Sequence, residues 1–126
     1  MTDQAATFES ISAVTVFTAD MARAERFYEA LGMPRCYGEA DAPFSSFRVG
    51  SGFVNVALSA PPERAWGRAI LYVSDVDAMY ARVLAAGYTP TTQPADAAWG
   101  ERYFHVRDPD GNEWSLARRL AKVGSK

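Results

Sequence analysis

The sequence is poor in the residues that hold metals and cross-links. Its 126 positions include one histidine, His105, and one cysteine, Cys36. A single cysteine excludes an internal disulfide and fits a reducing, cytoplasmic setting. One histidine and one cysteine also leave little for a zinc-type centre, which takes several such ligands. Charge of one sign is not in excess: the formal net charge is −2. A general affinity for nucleic acid needs a basic surface, so it is not expected. The run Arg118-Arg119-Leu120-Ala121-Lys122 is basic but short and reads as a solvated end. No uncharged apolar stretch is long enough to span a bilayer. Met1 to Ser10 is polar, without the basic region and apolar run of a secretory signal.

What the sequence does hold is a repeat. Val14-Thr15-Val16-Phe17-Thr18-Ala19-Asp20 leads into helical periodicity that stops at Leu31-Gly32. Ala69-Ile70-Leu71-Tyr72-Val73-Ser74-Asp75 leads into another that stops at Ala86-Gly87. Both the aspartates and the glycines stand 55 residues apart. A fixed offset of this kind marks an internal duplication. Asp20 and Asp75 have the chemistry of helix N-caps, and Gly32 and Gly87 that of helix stops. Ala24, Phe27, Tyr28 and Leu31 form one apolar helix face; Val76, Met79, Tyr80, Val83 and Leu84 form the other.

Strands are expected over Ile11 to Thr18, Met33 to Gly38, Pro43 to Val49 and Gly52 to Ser59, then over Arg68 to Val73, Tyr88 to Gln93, Arg102 to Val106 and Asn112 to Ala117. Each half therefore reads β-α-β-β-β. The length fits one domain over 1–126, with module 11–59, linker 60–67 and module 68–117. Asp108-Pro109-Asp110-Gly111-Asn112 reads as a tight turn between the last two strands. It is not a calcium loop, because Glu113 stands where that loop needs glycine.

These features together resemble the vicinal oxygen chelate superfamily, the group of glyoxalase I, extradiol dioxygenases and bleomycin resistance proteins. The resemblance runs from about Ile11 to Leu116 and rests on Asp20…Phe27-Tyr28…Leu31-Gly32, Asp75-Val76-Asp77…Gly87, and Trp99-Gly100-Glu101-Arg102 leading to Asp108-Pro109-Asp110-Gly111-Asn112. It implies an α+β fold: two tandem βαβββ modules forming a curved mixed sheet, a half-barrel around a cavity, with helices outside. In metal-using members each module gives one ligand from its first strand and a glutamate from its last. The matching positions here are Ala13, Ala57, Arg68 and Ser115. Alanine has no donor atom, arginine has no lone pair to give, and one hydroxyl cannot hold a divalent ion. No metal or other cofactor is expected.

Strand alternation from those positions, with the resemblance, aims a mixed set inward: Phe17, Phe53, Tyr72 and Tyr103, with Arg48, Asn55, Arg68, His105 and Glu113. Aromatic walls with a few polar groups are the chemistry of a small-molecule pocket. Trp114 should face the helices as core. Trp66 and Trp99 flank strands and are candidates for a pocket mouth or a dimer contact. Arg68 has two readings, pairing with Glu113 or holding an anionic group. The resemblance is nearest in type to the metal-free bleomycin resistance proteins. It implies a homodimer that sequesters an aromatic or antibiotic-like ligand. The alternative is a lyase, isomerase or dioxygenase-like enzyme, with His105 and Glu113 as acid and base and Arg68 stabilising an enolate-like charge.

Overall fold

The computed structural model describes residues 6, 8–40, 42–60 and 67–121. Trp66 and most of the expected linker lie outside the described residues. The elements follow the duplicated order. The first half is β1 (Ala13–Thr18), α1 (Met21–Ala30), β2 (Arg35–Tyr37), β3 (Phe44–Val49) and β4 (Gly52–Leu58). The second is β5 (Arg68–Tyr72), α2 (Val76–Ala85), β6 (Ala95–Asp96), β7 (Glu101–Arg107) and β8 (Glu113–Arg119). The strands form two four-stranded sheets, ordered β1-β4-β3-β2 and β5-β8-β7-β6. In each, the first strand runs parallel to the last and the other pairings are antiparallel. No sheet closes into a barrel among the described residues.

The helix ends follow from local chemistry. The Asp20 carboxylate accepts from the Arg23 N–H at 3.1 Å, and Asp75 accepts from Ala78 N–H at 2.9 Å. These satisfy donors that a first helical turn leaves free. Gly32 and Gly87 follow the last turns with φ of 96° and 92°, a region costly for any residue with a Cβ.

One face of each sheet is covered by its helix, and the core runs through both halves. Val16, Phe47, Val54 and Val56 of the first sheet join Phe104, Val106, Trp114 and Leu116 of the second in one buried cluster. Helix α1 is the link. Ala24, Phe27, Tyr28 and Leu31 are all buried. Tyr28 meets Trp114 edge to face at 6.1 Å, and Phe27 meets Tyr88 at 5.0 Å. Trp114 is fully buried, as its place in the alternation requires.

Two expectations need correction. Leu84 is 48% exposed, although helical periodicity puts it with Val76 and Val83. Among the described residues, α2 packs on β7 and β8, whereas α1 touches β4 and also side chains of the second half. A helix covered on one side needs a narrower apolar stripe. The strand expected over Tyr88 to Gln93 does not form; β6 is two residues further on. Pro90 and Pro94 lack the N–H that a sheet ladder needs. Thr91 and Thr92 attach this stretch to β7 instead: Thr91 N–H donates to His105 O at 2.9 Å, and His105 N–H donates to Thr92 Oγ1 at 2.9 Å.

Candidate functional site

The faces turned away from the helices carry the candidate residues, in rows set by strand register. On the second sheet, Arg68 pairs with Glu113, which pairs with Arg107. The next row is Ile70, Ser115 and His105; the one after is Tyr72, Ala117 and Tyr103. On the first sheet the rows are Ala13, Phe53 and Arg48; Thr15, Asn55 and Ser46; and Phe17, Ala57 and Phe44. Because period-2 alternation puts whole rows on one face, most of the expected set shares these two surfaces.

Register corrects one position. Arg68 and Ser115 lie one row apart, with Ser115 beside Ile70. The same step in the first sheet leads from Ala13 to Asn55, beside Thr15, and not to Ala57. The ligand positions therefore read Ala13, Asn55, Arg68 and Ser115. Asn55 is already engaged: its Oδ1 accepts from Ser46 Oγ at 2.7 Å and its Nδ2 donates to Thr15 Oγ1 at 3.3 Å. Ser115 is buried, and Arg68 carries a positive charge. Among the described residues no three His, Cys, Asp or Glu side chains gather as a metal site would require. The residues present do not fit the superfamily's metal.

Where one metal ligand would stand, there is an ion-pair cluster. Arg68 Nε lies 2.9 Å from Glu113 Oε2, and Arg107 Nε lies 3.3 Å from Glu113 Oε1. His105 Nδ1 is 3.5 Å from Glu113 Oε2, and its Nε2 is 3.4 Å from Arg68 Nη1. A neutral ring with the proton on Nδ1 suits both neighbours, giving its proton to the carboxylate and accepting from the guanidinium. Partial burial, and then the Arg68 charge, hold the His105 pKa below 6.5 against a weaker upward pull from Glu113.

The sign of that shift makes a prediction. A folded-state pKa below the unfolded one means that the fold favours the neutral ring. The stability this contributes is complete above the unfolded value and is lost as pH falls through the folded one. Melting temperature measured from about pH 7 to about pH 5 should therefore fall more steeply in the wild type than in His105→Gln. Equal slopes would show that His105 does not sense the fold.

Beyond His105 the same strand continues as an aromatic stripe. The Tyr103 and His105 rings are 5.1 Å apart. Trp99 stacks on Tyr103 at 5.7 Å, with 29° between planes, yet remains 70% exposed. Trp99 Nε1 donates to Glu101 Oε1 at 3.1 Å, and the Tyr72 hydroxyl donates to Glu101 Oε2. That hydrogen bond is the main cause of a raised Tyr72 pKa. Phe17 is 39% exposed at the end of the first sheet, separated from Phe44 in its row by Ala57. Arg48 lies with its guanidinium 4.8 Å over the Phe53 ring. Arg48, Phe53 and Asn55 line an open groove of about 620 Å³, and Arg48 also borders, with Tyr72, a smaller crevice of about 160 Å³.

Sequence reasoning missed Arg107, Glu101, Ser46 and Phe44. Arg107, Glu101 and Ser46 lie two residues from a chosen position on the same strand face and Phe44 four from Arg48, so carrying the alternation one or two steps further finds them.

The family model for the Glyoxalase/Bleomycin resistance protein/Dioxygenase superfamily matches residues 10–116. The chain belongs to that superfamily. Among solved structures of this fold, TioX from Micromonospora sp. ML1 is 28% identical, with a TM-score of 0.73 over 89% of this chain and 100% of that one. A glyoxalase/bleomycin resistance protein/dioxygenase from Nocardioides is 18% identical, with a TM-score of 0.73 over 94% and 88%. A superfamily member from Sphaerobacter thermophilus is 24% identical, with a TM-score of 0.68 over 89% and 98%. Uncharacterized proteins of Mycobacterium bovis and Mycobacterium tuberculosis are 47% identical over 53 residues, 42% of this chain. That match spans about a third of their length, 35% and 31%. No helix among the described residues is long and apolar enough to cross a membrane.

Proposed function

We propose that this superfamily member binds a small planar aromatic molecule on the open faces of its two sheets and does so without metal chemistry. The superfamily's name joins enzymes with a drug-resistance protein, so the site's own residues must decide. The observation that carries the reading is the stripe of Trp99, Tyr103 and His105, whose outermost ring is stacked on one side and open on the other. An exposed, pre-ordered indole face supports stacking of a flat ligand at little entropic cost. Exposed Phe17, Ile70 and Tyr72 support a second copy of the chain completing the enclosure, so the assembly proposed is a homodimer.

The cluster around Glu113 favours binding over catalysis. Both carboxylate oxygens already face guanidinium nitrogens, which leaves them poorly placed to take a proton from a substrate. Titrating the protein with a panel of planar aromatic compounds should give saturable quenching of tryptophan fluorescence. Tyr103→Ala should weaken the best binder about tenfold by removing the ring that backs Trp99. A panel in which no compound changes fluorescence or melting temperature would end this reading. Turnover that survives chelation and vanishes in His105→Ala would replace it with the enzymatic one.

A further inference from the structure

The two halves treat an arginine at equivalent places differently. Arg107 and Arg48 occupy equivalent ends of their rows, each two positions beyond the side chain next in line, His105 and Ser46. In the second sheet the central residue of the row is Glu113, whose carboxylate pairs with both Arg107 and Arg68. In the first sheet the central residue is Phe53, and the third is Ala13. Arg48 therefore lies on a ring where its counterpart meets an acid. Among the described residues no carboxylate is within ion-pair distance of Arg48. The groove it lines includes Ala13, Tyr37, Phe44, Phe53 and Asn55, and Arg48 is the one charged side chain in its lining.

The geometry points to this groove as the seat of an anionic substituent on the aromatic ligand, a carboxylate or a group of like charge and shape, held by Arg48. This inference rests on the aromatic-ligand reading above and adds the ligand's charge. Stacking on Phe53 restricts the guanidinium plane and covers one face, while among the described residues no ion pair occupies its N–H edge. That edge matches the two oxygens of a carboxylate, and a fork held in place loses little freedom on binding. The aromatic neighbours Tyr37 and Phe44, themselves 6.1 Å apart, would cover the ring that carries the anion. A cation that meets no acid among the described residues of its groove selects against cationic ligands by the same charge.

The test is a matched pair of probes, 2-naphthoate and 2-naphthamide, which share a ring system and differ in charge. Both are titrated calorimetrically into the full-length wild type, Arg48→Met, Arg48→Lys and, as a surface control, Arg26→Met. The wild type and the control should bind the acid at least about tenfold more tightly than the amide. Arg48→Met should remove that preference by weakening the acid far more than the amide, and a melting temperature close to that of the Arg26→Met control shows that the variant is folded. Arg48→Lys should keep part of the preference, since it keeps the charge but loses the fork. Added salt should weaken the acid and spare the amide. If the amide binds and the acid binds no tighter, or if Arg48→Met keeps the preference, the anion site is wrong and the aromatic reading stands. If neither probe binds, the anion site falls, and if the wider aromatic panel fails too, both readings fall.

Discussion

Replacing Asp108 with alanine should lower the unfolding free energy by about 3–5 kcal/mol, because it strands several buried donors at once. The Asp108 carboxylate accepts from Tyr28 Oη at 2.5 Å, Asn112 N–H at 2.8 Å, Asn112 Nδ2 at 2.8 Å and Asp110 N–H at 2.9 Å. Two of these bonds shape the turn after β7, and the Tyr28 bond ties that turn to α1 in the other half. Trp114 Nε1 donates in turn to Tyr28 Oη at 3.2 Å, and Arg23 of α1 reaches Asp110 at 2.7 Å. Burial pushes the Asp108 carboxyl above its usual range and the Tyr28 phenol well above its own. Both groups are thus far from water, where an unmatched partner costs most. Denaturant unfolding should show the loss, with a melting temperature lower by roughly 10–20 °C. Tyr28→Phe, which removes one bond and keeps the ring, should cost only about 1–2 kcal/mol. A loss below about 1 kcal/mol for Asp108→Ala would mean that the residue only shapes a local turn.

Gly38→Ala should cost about 2–4 kcal/mol, from two causes that can be separated. Gly38 has φ of 89°, which any Cβ makes unfavourable. A Cβ there would also lie 2.4 Å from the Phe44 carbonyl oxygen and 3.0 Å from Ser45 Oγ. The carbonyl belongs to the backbone at the start of β3 and cannot turn aside as a side chain can. Moving it would disturb Ser45, whose hydroxyl donates to Glu25 Oε2 at 2.7 Å. Glu25 is buried at 3% exposure and is held otherwise by Arg35 at 3.1 Å, so its charge depends on this pair of partners. Gly87 supplies the comparison. Its φ is 92°, but a Cβ there meets open space. Gly87→Ala should therefore show the conformational cost alone, about 1–2 kcal/mol. Equal losses at the two glycines in denaturant melts would remove the contact from the account.

What was legible in the sequence was what neighbouring residues decide. Asp20 and Asp75 cap their helices, Gly32 and Gly87 end them, and seven of the eight strands lie within two residues of their expected limits, the exception being β6, which forms at Ala95–Asp96 and not over Tyr88 to Gln93. These features depend on side-chain period and on backbone groups a few residues away. Register depends on loop length instead, and the two halves differ there. Thr15 and Ile70 are 55 residues apart, but their partners Asn55 and Ser115 are 60 apart. A ligand position at Ala57, taken as the counterpart of Ser115, leaves that insertion out and lies one row too far along. Charge partners were legible only in part. Arg68 and Glu113 pair as one of two open readings, whereas the third member, Arg107, comes from a row that register alone assembles.

The shared core has a consequence for how the chain comes off the ribosome. Synthesis delivers Phe27 and Tyr28 long before Tyr88, Asp108 and Trp114, the side chains that cover and pair them. For that interval the first half carries two large rings and a phenol meant for contacts that have not yet been made. Nascent segments in that state bind chaperones or one another. An arrest after the first half should therefore leave a sticky, protease-sensitive product, and release of the last strand should end that vulnerability in one step.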